Sequence, residues 1–461
     1  MGSLSASLNI ALQSMLAEQG AIETTSNNIA NVNTPGYSRQ RPDLEETAPV
    51  QVGDLSFGTG VQLSDVTSLR DSILDLRINQ ETQQQGQLNS LISGGQQIQV
   101  LFNETAGTGL QAPLTAFFTS LSQLTTDPSD VPTRQSVITA AQNLTNAFNQ
   151  TADNLTTLQR NLNLSVQQAV TQINSLTTQI AQVNQQVLSA STVGANAGPF
   201  EDQRQQLINQ LSNYIDVSEV NAGNGGLTLT TSSGAPLVVG GQSFQLTTQT
   251  NPTTGMQDVY SDGADISSKI TGGQLAGDLQ VRDQQIPSIQ NSLDTLAYNL
   301  ANSFNQQNQA GFDLNGNPGG NIFTPLAQVS GAAGSIGLAT TDPTKIAASA
   351  GPAPGSPGDN TNANALLGLQ NQAIVNGVTP LDYYSNLVFQ VGNSISSAQT
   401  QQSAGSQALL QLQNLQGAVS GVDINEEAAN LMRFQNAYQA SAQVSTVINN
   451  LMTATMNVVG Q

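Results

Sequence analysis

Residues 8–29 read LNIALQSMLAEQGAIETTSNNI, a stretch in which large apolar side chains recur at a spacing of seven. The repeated side chains are Leu8, Met15, Ile22 and Ile29. A companion row consists of Leu4, Ala11 and Val32. Spacings of three and four that sum to seven are typical of a helix with a narrow apolar seam, which packs against another helix. The sequence therefore predicts a long N-terminal helix whose seam needs a partner.

The C-terminal segment of the chain carries a second seam with the same period. Its large side chains are Ile424, Leu431, Tyr438, Met452 and Val459, and only Ser445 interrupts the series. Between them lie Ala428, Ala442 and Met456. The periodicity leaves two interpretations open: the two seams pack on each other within one molecule, or neighbouring copies complete them.

The N-terminal helix is intrinsically weak near its end. Residues 24–28 read TTSNN, five residues of low helix propensity. Most of the stability of a helix in a protein comes from burial of one face, and isolated helices are marginal in water. We therefore expect both terminal helices to be loosely ordered in a free monomer and fixed by neighbouring subunits.

The interior of the chain contains a stronger helical pattern at residues 133–190. One row is Val166, Ile173, Ile180 and Val187, and the other is Leu155, Leu162, Ala169, Leu176 and Val183. Further helices are predicted at 68–102, where Gly94 and Gly95 are expected to weaken the centre, and around 286–304, where apolar residues return to spacings of three and four. Before them, residues 40–66 read as an extended connector with short strands.

From Val217 the apolar pattern changes to a period of two. The alternating runs, which glycine-rich turns separate, are residues 227–230, 237–239, 244–247 and 258–260. Such alternation predicts an antiparallel β module. Residues 320–365 have little periodicity and are rich in Gly, Pro and Ala, so we predict short strands and loops there.

The composition excludes most catalytic chemistry. The chain has no Cys and no His, which rules out Ser-His-Asp and Cys-His catalysis and thiolate or imidazole metal sites. No phosphate-binding loop is present. The run Asp313-Leu314-Asn315-Gly316-Asn317 begins like a calcium loop but lacks Gly at the sixth position and Glu at the twelfth, so we predict a plain turn. We predict no enzyme activity and no cofactor.

The charge balance excludes two classes of partner. Lys and Arg total 11 against 31 acidic residues, which gives a formal charge of −20 at pH 7. Such a surface repels nucleic acid and anionic membrane. The chain has no basic residue before Arg39, which argues against a Sec-type signal peptide, and no stretch has the roughly 20 apolar residues of a membrane span.

Residues 26–37 read SNNIANVNTPGY and resemble the signature of the bacterial flagellar axial proteins, the family of rod, hook and hook-associated proteins. Physically the stretch is a helix end, because Pro35 disfavours helix at Thr34 and Gly36 permits a chain reversal. The resemblance implies an assembly role for the residues that match the signature: Asn27, Asn28, Asn31, Thr34, Pro35, Gly36 and Tyr37.

The resemblance extends along essentially the whole chain. Residues 38–40 resemble the version of the signature found in the hook-associated members. Further matching stretches are residues 202–212, 272–283, 358–363 and 426–431.

This resemblance implies a structural subunit of the extracellular flagellum that joins the hook to the filament and is needed for filament assembly. It implies flagellar type III export, with a cytoplasmic export chaperone on the C-terminal seam. The implied partners are copies of the chain itself in a helical or ring assembly, the hook protein on one side and the second junction protein on the other.

Two alternatives stay open. The first is another axial protein of the hook or distal rod type, although the long central heptad helix argues against it. The second is a secreted cell-wall hydrolase that uses two carboxylates, but the sequence context singles out no pair of acids.

The order of the predicted elements is nested, with helices from the two chain ends outermost and the β module innermost. We predict an α+β fold of three domains: long N- and C-terminal helices pairing as a coiled-coil inner domain (residues 1–66 plus 421–461), a helical-bundle second domain (67–215 plus 283–312 plus 375–420), and an inserted small antiparallel β outer domain with loops (216–282 plus 313–374).

Polar residues near the two seams allow two interpretations each. The side chains of Asn27, Asn28, Asn31 and Asn33 crowd one helix end, where they either bond to neighbouring backbones or cap the helix locally. Arg39 and Arg433 are isolated cations near the seams. For these two we weigh an acidic partner on a neighbouring subunit against a solvated side chain, and we favour the solvated side chain.

Overall fold

The computed structural model of the chain describes residues 2–52, 55–104, 109–221, 226–352 and 358–459. The helices are α1 (Gly2–Ala30), α2 (Ser72–Leu101), α3 (Gln111–Thr126), α4 (Val131–Thr192), α5 (Gly198–Tyr214), α6 (Gly273–Gln280), α7 (Ile286–Gln309), α8 (Ala332–Ser335), α9 (Thr361–Gly368), α10 (Pro380–Ser420) and α11 (Ile424–Val459). The α+β fold is confirmed, with long terminal helices in contact and small antiparallel sheets.

The strands lie in two parts of the chain. They are β1 (Gln40–Glu46), β2 (Val50–Val52), β3 (Leu55–Phe57), β4 (Val61–Ser68), β5 (Ser218–Asn221), β6 (Leu227–Thr230), β7 (Pro236–Val239), β8 (Gln242–Ser243), β9 (Leu246–Thr250), β10 (Gln257–Ser261) and β11 (Ala264–Asp265). β1 pairs with β4 and β2 with β3, whereas β5–β8 and β9–β11 form sheets of four and three strands. All of these pairings are antiparallel.

The two terminal helices form an antiparallel pair. The hydroxyls of Ser14 and Ser441 lie 3.0 Å apart, and Asn28 Nδ2 donates to Glu427 Oε2 over 3.0 Å. Asn28 follows Ser14 by fourteen residues in α1, whereas its partner Glu427 precedes Ser441 by fourteen residues in α11. The two helices therefore run in opposite directions. Strands β1 and β4 cover another side of α1. The prediction that the chain ends pair is thus confirmed.

Helix α4 is shared by two apolar cores. Its first half packs with α3, α7 and the inner face of α10 in the first core, where Phe117 and Phe304 are fully buried. Its second half packs with α5, α6 and the sheets of β5–β11 in the second core. Among the described residues, neither core includes a side chain of α1 or α11.

Helices α2 and α10 run antiparallel beside each other. Gln416 Nε2 donates to Asp75 Oδ1 over 2.6 Å near one end, and Gln85 Nε2 donates to the carbonyl of Gln402 over 3.1 Å further along. Helix α2 continues unbroken through Gly94 and Gly95. A Cβ at either position would clash with the side chain of Val281 or Ile395, so these glycines permit close helix packing.

Buried asparagines on helices hold the irregular and β segments. Asn184 on α4 is fully buried and donates to the carbonyls of Leu227 and Gly240 over 2.8 and 2.7 Å. On α7, the side-chain oxygen of Asn305 accepts from the amides of Ile322 and Phe323, each over 2.9 Å. Such bonds satisfy backbone groups that would otherwise be buried without partners.

The hydrogen bonds of Asn305 hold part of the segment 313–374 against α7, although we predicted that this segment lies in the outer β domain. Its buried side chains, including Ile322 and Phe323, belong to the first core instead of the β module. The sequence interpretation relied on the lack of periodicity there and missed the anchoring by α7. The domain limits themselves remain a prediction.

The calcium-like run folds as a turn closed by a salt bridge. Asp313 Oδ1 accepts from the amides of Asn315 and Asn317, each over 2.9 Å, and Oδ2 accepts from Lys345 Nζ over 3.0 Å. These bonds lower the pKa of Asp313 against the opposing effect of burial.

A buried carboxylate provides a test of pH dependence. Asp278 on α6 accepts from Ser90 and, over 3.3 Å, from Gln274, and burial raises its pKa above the ordinary value of 3.8. The folded state therefore bears a cost at neutral pH that disappears as the pH falls through the raised pKa. We expect Asp278→Asn to exceed wild type in free energy of unfolding at pH 7, with the difference shrinking as the pH falls through the raised pKa of Asp278.

Urea unfolding at several pH values measures this difference. Asp359→Asn is the matched control, and its expected effect on stability has the opposite sign. Hydrogen bonds from Thr361 and from the amide of Ala350 lower the pKa of Asp359, so its ionised form stabilises the fold. The control should be less stable than wild type at pH 7. Equal stability of Asp278→Asn and wild type at every pH would contradict the expectation.

Candidate assembly site at the paired terminal helices

Asn28 is the centre of a hydrogen-bond network at the end of α1. Its side chain is 1% exposed, and Nδ2 donates to the carbonyl of Gln40 over 2.7 Å and to Glu427 Oε2 over 3.0 Å. Its Oδ1 accepts from the Tyr37 hydroxyl over 2.8 Å and from the Gln40 amide over 2.9 Å. All donor and acceptor positions of this amide are therefore used, which fixes its orientation. Asn28 joins α1, β1 and α11.

Arg39 forms the second part of this network. Its Nε donates to Glu427 Oε1 over 2.7 Å, and its two terminal nitrogens donate to both oxygens of Glu426 over 3.0 and 2.6 Å. Glu427 is 2% exposed, so its charge is almost fully removed from water. The hydrogen bond to Glu426 is the main reason that the pKa of Arg39 is raised. Our preference for a solvated Arg39 was wrong, because its acidic partners lie in the same chain.

The signature residues around Asn28 have local roles. Asn31 Nδ2 donates to the carbonyl of Asn27 over 3.0 Å, and the Thr34 hydroxyl donates to Asn31 Oδ1 over 3.1 Å. These bonds cap the end of α1, which agrees with the local-capping interpretation of these asparagines. Asn28 alone among these asparagines makes a long-range side-chain bond within the described residues.

The reversal after α1 brings the signature against α5. Gly36 has a φ of +74°, and a Cβ at this position would overlap the side chain of Gln206. Gln206 Nε2 donates to the carbonyl of Pro35 over 2.6 Å. Glycine is therefore required here both for its backbone conformation and for the close approach.

Asp202 on α5 completes the connection between the terminal pair and the helical bundle. Its Oδ2 accepts from the Ser38 amide over 3.0 Å, and its Oδ1 forms a salt bridge with Arg70. Burial, together with the charges of Asp202 and Glu427, raises the pKa of Tyr37 to about 12. The tyrosine is therefore neutral at physiological pH and donates its proton to Asn28.

The predicted N-terminal seam lies in the helix pair but is incompletely covered. Its members Leu8, Met15, Ile22 and Ile29 are all half-buried. The most deeply buried apolar side chains of α1 are small, namely Ala11, Ala17 and Ala21. Close approach over alanines leaves the larger seam residues partly open to solvent.

The members of the predicted C-terminal seam differ in their exposure. Leu431, Tyr438 and Met452 are half-buried, Ile424 is 52% exposed, and the side chain of Val459 lies outside the described residues. For the second row we expected Ala428, Ala442 and Met456, of which Ala428 and Ala442 are half-buried and Met456 is 60% exposed.

The buried second row is instead the one that contains Phe434 and Ile448, each 7% exposed. This row alternates them with Glu427 and Ser441, the two residues that bond to α1. Because every second residue of this row is polar, a search for apolar residues at a spacing of seven does not detect it. The fourteen-residue separation of Phe434 and Ile448 is the signal that would have identified it.

A second apolar stripe on each terminal helix is left uncovered. On α1, Leu12 and Leu16 are 52% and 61% exposed, one helical turn apart. On α11, Val444, Val447 and Leu451 are 51%, 56% and 50% exposed at spacings of three and four. A single molecule therefore leaves apolar helix faces in water that a further helix would cover.

The other isolated cation, Arg433, is exposed and lies over the ring of Phe434, 4.8 Å from its centroid. Its charge acts to lower the pKa of Glu18 on α1, although burial raises that pKa overall. Among the residues that the structure describes, no three acidic side chains cluster as a metal site would require. The described helices also include none that combines the length and apolar character needed to span a membrane.

Comparison with known proteins gives a consistent result along the chain. The family model "Flagellar hook-associated protein FlgK helical domain" matches residues 95–323, and "Flagella basal body rod protein" matches residues 8–37. The Flagellar hook-associated protein 1 of Bacillus subtilis (strain 168) is 29% identical over 498 residues, covering 98% of both chains. The chain belongs to the flagellar hook-associated protein 1 family.

Further comparisons also match most or all of the chain. The Escherichia coli (strain K12) protein is 28% identical over 551 residues, covering 99% of this chain and 100% of that protein. The structure of the flagellar hook junction protein FlgK from Burkholderia pseudomallei superposes with a TM-score of 0.66 at 20% identity, covering 75% of this chain and 100% of that chain. This likeness supports the fold.

The family assignment places the chain among structural components of the flagellum. The rod-type match at residues 8–37 spans most of α1 and ends at Tyr37, within the network around Asn28. The hook-type and distal-rod alternatives are therefore set aside, since the helical-domain match covers α3, α4, α5 and α7.

Glu427→Ala is expected to loosen the pairing of the terminal helices without unfolding the two cores. It removes one of the two acceptors of Asn28 Nδ2 and the acceptor of Arg39 Nε, at a cost of about 1–3 kcal/mol. The chain has no cysteine, so Ser14→Cys with Ser441→Cys provides a clean reporter of pairing through disulfide formation. The rate of that oxidation should fall roughly tenfold, since each 1.4 kcal/mol corresponds to a factor of ten.

Glu426→Ala is the matched control, because its side chain is 56% exposed and exposed ion pairs contribute little. It should leave the oxidation rate nearly unchanged. An unchanged rate in Glu427→Ala would show that the buried network does not hold the helices together.

Proposed function

We propose that the protein is a structural subunit that joins the hook to the filament in the extracellular bacterial flagellum and is needed for filament assembly. The observation that carries this proposal is the terminal helix pair, which the network around Asn28 ties together while the outer stripes at Leu12–Leu16 and Val444–Leu451 remain exposed. A tube of neighbouring copies supplies the helices that a single molecule lacks.

The proposed partners follow from this arrangement and from the family. Copies of the chain form a helical or ring assembly, with the hook protein on one side and the second junction protein on the other. The residues proposed for assembly through the seams are Leu8, Met15, Ile22, Ile29, Ile424, Leu431, Tyr438, Met452 and Val459. The signature residues Asn27, Asn28, Asn31, Thr34, Pro35, Gly36 and Tyr37 are proposed to set the geometry of the pair.

We also propose that a cytoplasmic export chaperone holds α11 before assembly. The exposed side chains of Val444, Val447 and Leu451 support this, because an unassembled chain would otherwise present them to solvent. Flagellar type III export is the proposed route to the cell exterior.

Deletion of the gene tests the proposed function. The expected phenotype is intact hooks without filaments, with filament monomers lost to the medium, and expression of the full chain should restore filaments. Filaments of normal length and number in the deletion strain would reject the proposal.

We infer that the protein has no catalytic role. Only a carboxylate pair would be available for hydrolysis, and the sequence has neither His nor Cys. A zymogram on purified peptidoglycan is expected to show no clearing band.

A further inference from the structure

The first turns of α2 expose an apolar patch that includes a cation. Ile73 is 66% exposed and Leu76 is 37% exposed, and the side chain of Arg77 is exposed beside them. These residues are spaced by three and four along the helix, so they lie on one face within a single turn. We call Ile73, Leu76 and Arg77 the α2 patch. The other side of this part of α2 is buried within the chain through Leu74 and Ile78.

A second apolar patch, with the opposite charge, lies on the hairpin of β2 and β3. Val50 and Phe57 are directly opposite each other in the two strands, and each is 53% exposed. A Cβ added to Gly58 would lie 3.3 Å from Glu46 Oε1, so this exposed carboxylate lies beside the residue that follows Phe57. We call Glu46, Val50 and Phe57 the hairpin patch. β2 and β3 form a sheet of only two strands, which is marginally stable in water unless it packs on a further strand or a helix.

The two patches are complementary in charge and alike in apolar content. Each has two large apolar side chains and one charged group, and within the described residues neither Arg77 nor Glu46 forms a salt bridge. Each copy has a formal charge of −20, so most surfaces of two copies repel each other. The α2 patch is an exception, because its guanidinium attracts the acidic hairpin patch. The chain therefore contains, in its own hairpin, a partner of matching charge and apolar character for the α2 patch.

The two patches lie too far apart to meet within one molecule. The ribbon of β1 and β4 runs along α1, and at one end its residue Gln40 bonds to Asn28. At the other end the ribbon approaches Ile10, where a Cβ added to Gly60 would lie 3.3 Å from Ile10 Cγ2. Asn28 and Ile10 are eighteen residues apart in α1, which is about 27 Å at 1.5 Å per residue. Helix α2 follows the first end of the ribbon, whereas the hairpin extends from the second end.

A contact between these two patches therefore joins different copies. Its two sides are different surfaces, so each copy gives its hairpin to one neighbour and receives the hairpin of another. Such heterologous contacts continue from copy to copy and generate rings or helical arrays. This is the kind of assembly that the proposed function requires.

We propose that the hairpin patch of one copy docks on the α2 patch of a second copy of this chain. In this contact the Glu46 carboxylate pairs with the Arg77 guanidinium, and the apolar side chains of the two patches pack on each other. The inference rests on the proposed function, because it specifies how neighbouring copies in the helical or ring assembly contact each other outside the terminal helix pair.

Disulfide trapping between two single-cysteine variants of the full chain tests this contact. Copies that carry Leu76→Cys are mixed with copies that carry Phe57→Cys and a mass tag, and each cysteine is the only one in its chain. Mild oxidation is applied to the mixture at rising concentration and to the mixture after its addition to isolated hooks. The expected product is a mixed dimer of the two variants, whereas either variant alone should give little dimer.

Val131→Cys, in place of Leu76→Cys, is the matched control. Val131 is 44% exposed, slightly more than Leu76, but its sequence neighbours Asp127 and Asp130 are acidic and repel the hairpin patch. Chance collisions would favour the more exposed control position. An excess of mixed dimer from Leu76→Cys therefore reports a specific contact.

Exchange of the two charges tests the pairing of Arg77 with Glu46. Adding Arg77→Glu to the Leu76→Cys copies should lower the yield of mixed dimer roughly tenfold, because two carboxylates then face each other. Adding Glu46→Arg to the Phe57→Cys copies should restore most of that yield. Lys269→Glu makes the same change of charge at an exposed residue beyond β11 and should leave the yield unchanged. A circular-dichroism melt like that of the wild type shows that each variant is folded.

A yield from Leu76→Cys no higher than that from Val131→Cys, or no restoration by Glu46→Arg, would overturn the proposal. Dimers formed by Leu76→Cys alone would also overturn it, since they would show that the α2 patch contacts itself. Protection of Leu76→Cys from a maleimide on hooks, without mixed dimers, would overturn it in favour of the hook protein as the partner of this patch.

The same samples separate this inference from the proposed function. Mixed dimers from chains that fail to attach to hooks would support the inference while rejecting the proposed function. Attachment to hooks without mixed dimers would overturn the inference and leave the proposed function intact.

Discussion

Leu431→Pro is expected to abolish attachment of the protein to hook ends while leaving the main thermal melt of the monomer nearly unchanged. Leu431 is half-buried near the start of α11, between Glu427 and Phe434. Proline in a helix interior costs roughly 3 kcal/mol or more, because it removes a hydrogen bond and clashes with the preceding turn. The seam of α11 would therefore break beside the Asn28 network.

The melting temperature of the monomer should change little in Leu431→Pro, because we expect the two apolar cores to provide most of the monomer's stability. Among the described residues, the two apolar cores contain no side chain from α1 or α11. The terminal pair buries few large apolar side chains of its own, chiefly Phe434 and Ile448. We therefore expect its ordering to depend on neighbours that supply further apolar contact.

Two measurements on the same purified variant decide the matter: a calorimetric melt and binding to isolated hooks seen by electron microscopy. Leu431→Ala is the control, since it shortens the same side chain but preserves the helix, and it should retain partial attachment. If Leu431→Pro lowered the monomer melt strongly, the terminal pair would be an integral part of monomer stability, and our account of loosely held ends would fail.

Phe304→Ala is expected to have the opposite pattern, with a loss of about 3–5 kcal/mol in the free energy of unfolding. Phe304 is fully buried at the centre of an aromatic cluster in the first core. Its ring lies 5.0 Å from that of Phe117, 6.0 Å from that of Phe118 and 6.3 Å from that of Phe323, measured between centroids. Removal of this ring leaves a cavity and ends three aromatic contacts.

Equilibrium urea unfolding measures this loss, and Phe389→Ala is the matched control. Phe389 is 70% exposed on α10, so its removal should change the free energy of unfolding by no more than about 0.5 kcal/mol. At temperatures well below its melt, folded Phe304→Ala should still attach to hooks. Similar losses for the two variants would mean that the aromatic cluster does not support the first core.

The contrast between these variants follows from how the chain distributes its apolar surface. The interior helices bury large side chains in cores that one molecule completes, whereas the terminal helices bury few large apolar side chains, chiefly Phe434 and Ile448. We therefore expect different parts of the chain to carry monomer stability and assembly.

Local repeats in the sequence determined the elements and the fold class. The seven-residue rows in α4 and the spacing in α7 predict those helices because burial of one helix face imposes such a period. The alternation after Val217 likewise predicts the antiparallel strands, and the run at residues 26–37 marks the end of α1.

Only the tertiary structure decided which polar groups meet across the chain. Arg39 and Glu427 are 388 residues apart, and their salt bridge exists because antiparallel pairing of α1 and α11 brings them together. The row of Phe434 and Ile448, the anchoring of residues 313–374 by Asn305, and the close packing at Gly94 depend equally on partners remote in sequence. A periodic pattern indicates that one face of an element is buried. A hydrogen bond or a close contact depends on both partners, and a local stretch of sequence contains only one of them.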